Sequence, residues 1–86
     1  MSFSKYKNVQ IQDLKMGEGF SIALSKQGEV FAWGMNDQGQ LGKDDMNSWV
    51  EPEKVPLQKV ITMIACGLKH CVVVDSENQV YAWGSN

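Results

Sequence analysis

The second half of this chain begins again what its first half says. Val30-Phe31-Ala32-Trp33-Gly34-Met35-Asn36 returns as Val80-Tyr81-Ala82-Trp83-Gly84-Ser85-Asn86, and setting Trp33 on Trp83 fixes an offset of 50 residues. Without a gap, the same offset superposes Ile11 on Ile61, Gly17 on Gly67, Ile22 on Val72 and Leu24 on Val74. A period in this range signals a propeller, a solenoid or an array, in which a unit that cannot bury its apolar face alone lays it against a neighbour. The chain divides accordingly into an N-terminal arm at 1–8, a full repeat at 9–58 with a linker loop at 43–56, and a partial second repeat at 59–86.

Within each repeat the apolar residues alternate with a period of two. Val9 and Ile11 alternate with Gln10 and Gln12, and Phe20, Ile22 and Leu24 alternate with Ser21 and Ala23, as in half-buried strands. Gly17-Glu18-Gly19 turns the chain, and Ser25-Lys26-Gln27-Gly28 closes a hairpin into Glu29-Val30-Phe31-Ala32-Trp33. In the second copy Asn78 stands where Gly28 stood; both residue types tolerate positive φ. Val72-Val73-Val74 and Val30-Phe31-Ala32-Trp33 are apolar on consecutive residues, which places apolar side chains on both faces of the sheet. The connections are too short for helical crossovers, so the sheets are expected to be antiparallel and to cover one another. Four-stranded antiparallel blades stacked in a propeller meet that demand, with a β-sandwich as the alternative. Trp33 and Trp83 are expected to be equivalent buried packing residues.

Size and charge narrow the partners. A chain of 86 residues forms one small domain and buries roughly 60–65% of its surface on folding. One full repeat with part of another leaves a sheet face and an edge open, so the chain alone is expected to self-associate or to need a partner. A net charge of -2 with 8 Lys plus Arg argues against nucleic acid or an anionic membrane as the default partner. There is no apolar run near 18 residues and no signal-peptide pattern at the start, which predicts an intracellular protein, cytoplasmic or nuclear. Cys66 and Cys71 match no C-x-x-C spacing and read as buried structural thiols, with a disulfide or a metal as the alternative.

The linker carries the one feature that suggests a contact. Trp49 is its single large apolar residue, amid Asp44, Asp45, Glu51 and Glu53. Trp49 either folds back on its own blade or anchors a partner, with Asp45 and Glu51 facing a basic surface. The same carboxylates lack the ligand order and Gly of an EF-hand loop, so no metal is expected.

Other motifs yield structural roles. The glycine-rich run Gly34 to Gly42 is no P-loop, because Gly39 is followed by Gln40-Leu41 where Lys and a hydroxyl would meet phosphate. Gly34, Gly39 and Gly42 read as turn residues where neighbouring blades leave no room for a Cβ, and Asn36 as a side chain bonding the turn backbone. His70 is the only histidine and has no triad or metal partner at a recognisable spacing; it reads as a structural residue opening a strand after Gly67. Neither a catalytic residue nor a cofactor is expected.

These residues resemble the repeat of the RCC1 (regulator of chromosome condensation) family. Ala65-Cys66-Gly67-Leu68-Lys69-His70-Cys71 is similar to that family's Ala-Cys-Gly-x-x-His-Ser/Thr stretch, with Cys71 in the hydroxyl position. Val30 to Gly42 is similar to its Val-Tyr-x-Trp-Gly-x-Asn-x-x-Gly-Gln-Leu-Gly stretch, with Phe31 for Tyr, and Pro52 and Val55 fall at linker positions of the family. The resemblance makes Gly17, Gly34, Asn36, Gly39, Gly42, Gly67, His70 and Gly84, with Trp33 and Trp83, structural repeat positions. It implies an all-β fold of propeller blades, here a partial propeller of one full repeat and most of a second. The first copy departs from the pattern at Lys15-Met16, which replaces Ala-Cys, at Phe20, which replaces His, and at Asp44, where a Gly is common.

Function follows from the resemblance rather than from a reactive site. The expectation is a non-enzymatic protein–protein interaction or scaffolding module, a propeller fragment of a larger intracellular protein or complex. Its partners would be proteins, other blades of the same propeller, or a second copy. The family also implies a guanine-nucleotide exchange role on a Ran-like small GTPase, and a third role in substrate recognition for a ubiquitin ligase.

Overall fold

Alternating β-branched and aromatic residues, punctuated by Gly and Asn at turns, build strands joined by hairpins. The computed structural model describes residues 8–34 and 49–84, without the side chains of 49–51. The first sheet contains β1 (Ile11–Met16), β2 (Phe20–Ser25), β3 (Val30–Gly34) and β4 (Trp49–Lys54), antiparallel in the order β1-β2-β3-β4. The second contains β5 (Ile61–Cys66), β6 (His70–Asp75) and β7 (Val80–Gly84), antiparallel in the order β5-β6-β7.

The repeat seen in the sequence is a repeat of register. Ile22 pairs with Ala32 and Val72 with Ala82; Ile11 pairs with Ser25 and Ile61 with Asp75. A bulge follows Ile11 in β1, and another follows Ile61 at the matching place in β5. The hairpin turns match as well, with Gly28 at φ 89° and Asn78 at φ 65°. Ser25 N–H donates to Glu29 O at 2.8 Å and Asp75 N–H to Gln79 O at 2.9 Å.

The two sheets meet through opposite faces. Phe20, Ile22 and Leu24 of β2 share a face with Val30 and Ala32, and this face packs on Cys71 and Val73 of β6 and on Ile61 and Ile64 of β5. Val55, just past β4, closes the same core, and its N–H donates to Val30 O at 2.8 Å. Each sheet presents one type of face to the next, as blades do. This is the all-β, antiparallel arrangement of two successive propeller blades.

Three details differ from the sequence reading. The second half of the stretch expected as linker loop, Trp49–Lys54, is itself the outer strand β4, because its backbone completes the free edge of β3. Trp33 is buried whereas Trp83 is only partly buried, because Trp83 lies on a sheet with three strands among the described residues. Along β1 Ile11, expected to be half-buried, is exposed at 37%, as are Leu14 and Met16 beyond it, and β1 is a sheet edge.

Candidate interaction surface

The joint between the sheets is drawn tight by its glycines. A Cβ on Gly17 would meet the ring of Phe20 and stand 2.6 Å from Gly67 O, and a Cβ on Gly67 would meet the ring of His70. The aromatic ring three residues on thus lies over the glycine in both copies, and Phe20 does this where the family pattern has His. Among the described residues two backbone bonds cross the seam: Glu18 N–H donates to Leu68 O at 2.9 Å, and Ile61 N–H donates to Gly28 O at 2.9 Å. Lys69 Nζ stands 3.4 Å from Glu18 Oε1 across the same seam. At the end of β3, Gly34 has φ 106°, and a Cβ there would stand 2.5 Å from Gly19 O; Gly84 repeats the conformation at φ 97°.

The second hairpin holds a buried carboxylate where the first holds a hydroxyl. Asp75 Oδ1 accepts from the N–H groups of Glu77 and Gln79, both at 2.9 Å, and Oδ2 accepts from Tyr81 O–H at 2.9 Å. The Gln79 N–H, with help from the Tyr81 hydroxyl and Glu77 N–H, holds the carboxyl below its ordinary range despite its burial. The Tyr81 hydroxyl is pushed up in turn, first by donating to Asp75 and then by burial. In the first copy Ser25 and Phe31 occupy these places, and Ser25 Oγ accepts from Glu29 N–H at 3.0 Å. The network fixes a turn and reaches no reactive group; its chemistry is structural.

Among the described residues, the outward face of the second sheet carries exposed apolar side chains. Val72 pairs with Ala82, Val74 with Val80 and Met63, so these side chains share one face. They correspond by the offset to Ile22, Ala32, Leu24 and Val30 of the first sheet, which are buried. Val80 is 65% exposed and Met63 63%. Contiguous apolar faces of this kind are ordinarily covered by another surface. The paired valines signalled it in the sequence, since they require cover on both faces; which face would lack it depended on the direction in which the sheets stack.

The sequence-predicted contact residues lie elsewhere. Trp49 opens β4 as the register partner of Gly34, and Glu51 follows in the same strand; Asp45 lies outside the described residues, as do Asn36, Gly39 and Gly42. Pro52 is buried, and Lys54 Nζ reaches Glu29 Oε2 at 2.8 Å, so β4 is fastened to the first sheet. Among the described residues no group of three His, Cys, Asp or Glu side chains could hold a metal ion.

Comparison with known proteins gives this geometry a lineage. A family model described as the regulator of chromosome condensation (RCC1) repeat matches residues 27–74, and a second model of the same description matches 11–40. The chain is 39% identical over 83 residues to the RCC1 domain-containing protein RUG3, mitochondrial, of Arabidopsis thaliana, covering 93% of this chain and 18% of that protein. It is 34% identical over 85 residues to the E3 ubiquitin-protein ligase HERC2 of Homo sapiens, covering 95% of this chain and 2% of that protein. Among solved structures it superposes on yeast RCC1 (Prp20) bound to Kap60 with a TM-score of 0.83 and 26% identity, over 92% of this chain and 20% of that one. The chain therefore spans a fifth or less of each of these proteins.

Proposed function

The chain belongs to the family of RCC1 repeats, and from that premise we propose that it is a non-enzymatic interaction module, two propeller blades acting as a scaffold within a longer protein or complex. One observation carries the reading: the outward face of the second sheet repeats the residue types of the first sheet's buried face yet stands open. A surface built to be covered, with the structural residues of the seam spent on turns and packing, fits docking better than chemistry. The structural relative bound to Kap60 supports protein partners as a class. The finer contact is the linker with Trp49 at its centre, flanked by Asp45 and Glu51, which suits a basic protein surface. An intracellular location, cytoplasmic or nuclear, goes with this reading.

Two other roles are tested by the same material. Exchange on a Ran-like GTPase needs several loops of one rigid face to press on the GTPase together, and two blades supply a small sector of such a face. Release of a fluorescent guanine nucleotide from a Ran-like GTPase is expected to be unchanged by the chain; accelerated release would overturn the non-enzymatic reading. The ligase role is carried by the name of a relative of which this chain covers 2%. Light scattering should show self-association through the open sheet, and a monodisperse monomer with a sharp cooperative melt would show that the face needs no cover. In a binding assay against basic protein surfaces, Trp49→Ala should weaken capture, and unchanged capture would remove Trp49 from the contact.

A further inference from the structure

We propose that Cys66 and Cys71 form a thiol–disulfide exchange site that reacts with low-molecular-weight disulfides and closes a reversible bond between β5 and β6. Cys66 and Cys71 are direct register partners across the antiparallel pair, and both side chains lie on the face turned toward the first sheet. Their sulfurs stand 3.8 Å apart as thiols. Gly67 N–H donates to His70 O at 2.9 Å, so the next pair along, Cys66 and Cys71, is of the type without backbone hydrogen bonds between its members. Partner Cα atoms in such pairs lie about 4.5 Å apart, within the range that a disulfide bridges. Closing the bond therefore needs side-chain rotation, not strand movement.

The two thiols are unequal in a way that orders the reaction. Cys71 is fully buried and Cys66 is partly exposed, so an incoming disulfide reaches Cys66 first. The two sulfurs share a hydrogen bond in which either can donate; that bond, with the nearby Lys15 ammonium, lowers the Cys66 thiol below its usual range, while the same bond and burial push Cys71 up. The Cys66 thiolate attacks one sulfur of a disulfide RSSR, forming a mixed disulfide and releasing RS⁻. Cys71 then gives its proton to the released thiolate and attacks Cys66 Sγ, expelling the second RS⁻. The two thiols have lost two electrons and two protons, and RSSR has become two thiols. The site belongs to the second repeat alone: the offset places Met16 and Ser21 at these positions in the first. It sits at the seam, beside the turn whose Leu68 O accepts from Glu18 N–H, so the bond would fasten the hairpin that receives the first sheet.

The test uses the full chain in buffers of increasing glutathione disulfide, quenched with acid and mapped by mass spectrometry. Wild type should form an intramolecular Cys66–Cys71 bond that excess dithiothreitol reverses. Cys71→Ser should stop with one glutathione on Cys66, and Cys66→Ser should leave Cys71 unmodified. In wild type under limiting iodoacetamide, a measurement that needs no variant to fold, Cys66 should be labelled at least about tenfold faster than Cys71, and urea should abolish the difference. A wild-type chain that holds stable glutathione adducts without closing the bond, that links two copies instead, or whose cysteines label equally in the folded state would overturn the proposal.

Discussion

Val30 and Val80 occupy the same place in the same phrase, yet one is 1% exposed and the other 65%. The contrast holds along the sheets: Ile22 and Leu24 are buried while Val72 and Val74 are half-buried, although the register is the same and their partners in β3 and β7 are Ala and Val in both copies. On the opposite face the two copies agree, with Ala23 and Val73 both fully buried. Local sequence thus decides strand, turn and register, and the neighbouring sheet decides whether a side chain is core. A blade has two different faces, and its environment is complete only when both are met.

The largest way to sharpen this contrast is to truncate the paired tryptophans. Trp33→Ala should cost ~3–5 kcal/mol, as a large side chain lost from a closed core, and Trp83→Ala clearly less, because Trp83 is already partly open to solvent. Denaturant midpoints at one fixed protein concentration check the ranking. Equal losses would mean that self-association covers Trp83 as fully as the chain covers Trp33.

A second test exchanges the turn residues. Gly28 combines φ 89° with a neighbour: a Cβ there would stand 2.6 Å from Val60 Cγ1 and 3.1 Å from Ile61 N. Asn78 has the same backbone conformation but an exposed side chain. Gly28→Asn should therefore destabilise by about 1–3 kcal/mol through overpacking, whereas Asn78→Gly should change stability by a few tenths. Thermal melts of the two variants measure the asymmetry; similar shifts would mean that the chain leaving the first sheet yields to a side chain at position 28.

The hairpins also differ in their response to acid. The folded-state pKa of Asp75 is lowered by its hydrogen bonds, so its contribution to stability is present above the unfolded value of about 3.9 and is lost as pH falls through the lower folded value. Ser25, its counterpart, does not titrate in this range. Hydrogen exchange followed down the pH scale, after correction for intrinsic rates, should show loss of protection at Glu77 and Gln79 before Glu29. Asp75→Asn should remove that difference, and simultaneous opening of both turns in the wild type would contradict it.

The sequence carried the strands, the hairpins and the offset because each rests on local alternation and on residues that tolerate positive φ, as at Gly28 and Asn78. The structural reason for Phe20 was hidden: only the folded chain shows its ring lying over Gly17 as His70 lies over Gly67. Burial was hidden for a different reason. Trp33 and Trp83 share the frame Val-x-Ala-Trp-Gly-x-Asn, and the differences around them, Phe31 for Tyr81 and Met35 for Ser85, do not distinguish the covered sheet from the uncovered one. An outer strand after the linker loop was expected, but its start at Trp49 was obscured by Pro52 and four acidic residues nearby, a composition that suits an edge as well as a loop.

The smallest effect expected comes from charge at the sheet edge. Lys54 Nζ lies 2.8 Å from Glu29 Oε2, a pair joining β4 to the turn before β3, while the offset places the neutral Gln79 opposite Glu29. Glu29→Gln therefore gives the first copy the residue of the second and leaves Lys54 without this carboxylate. Both side chains are more than a third exposed, at 45% and 38%, so water and salt screen the pair and ordering two long side chains offsets part of the attraction. The loss should be below ~1 kcal/mol and should shrink as sodium chloride rises. A double-mutant cycle with Lys54→Met isolates the pairwise part from whatever else Lys54 touches. A coupling that is large and insensitive to salt would mean that the pair, rather than the Val55 N–H bond to Val30 O and the burial of Pro52 and Val55, holds the outer strand in place.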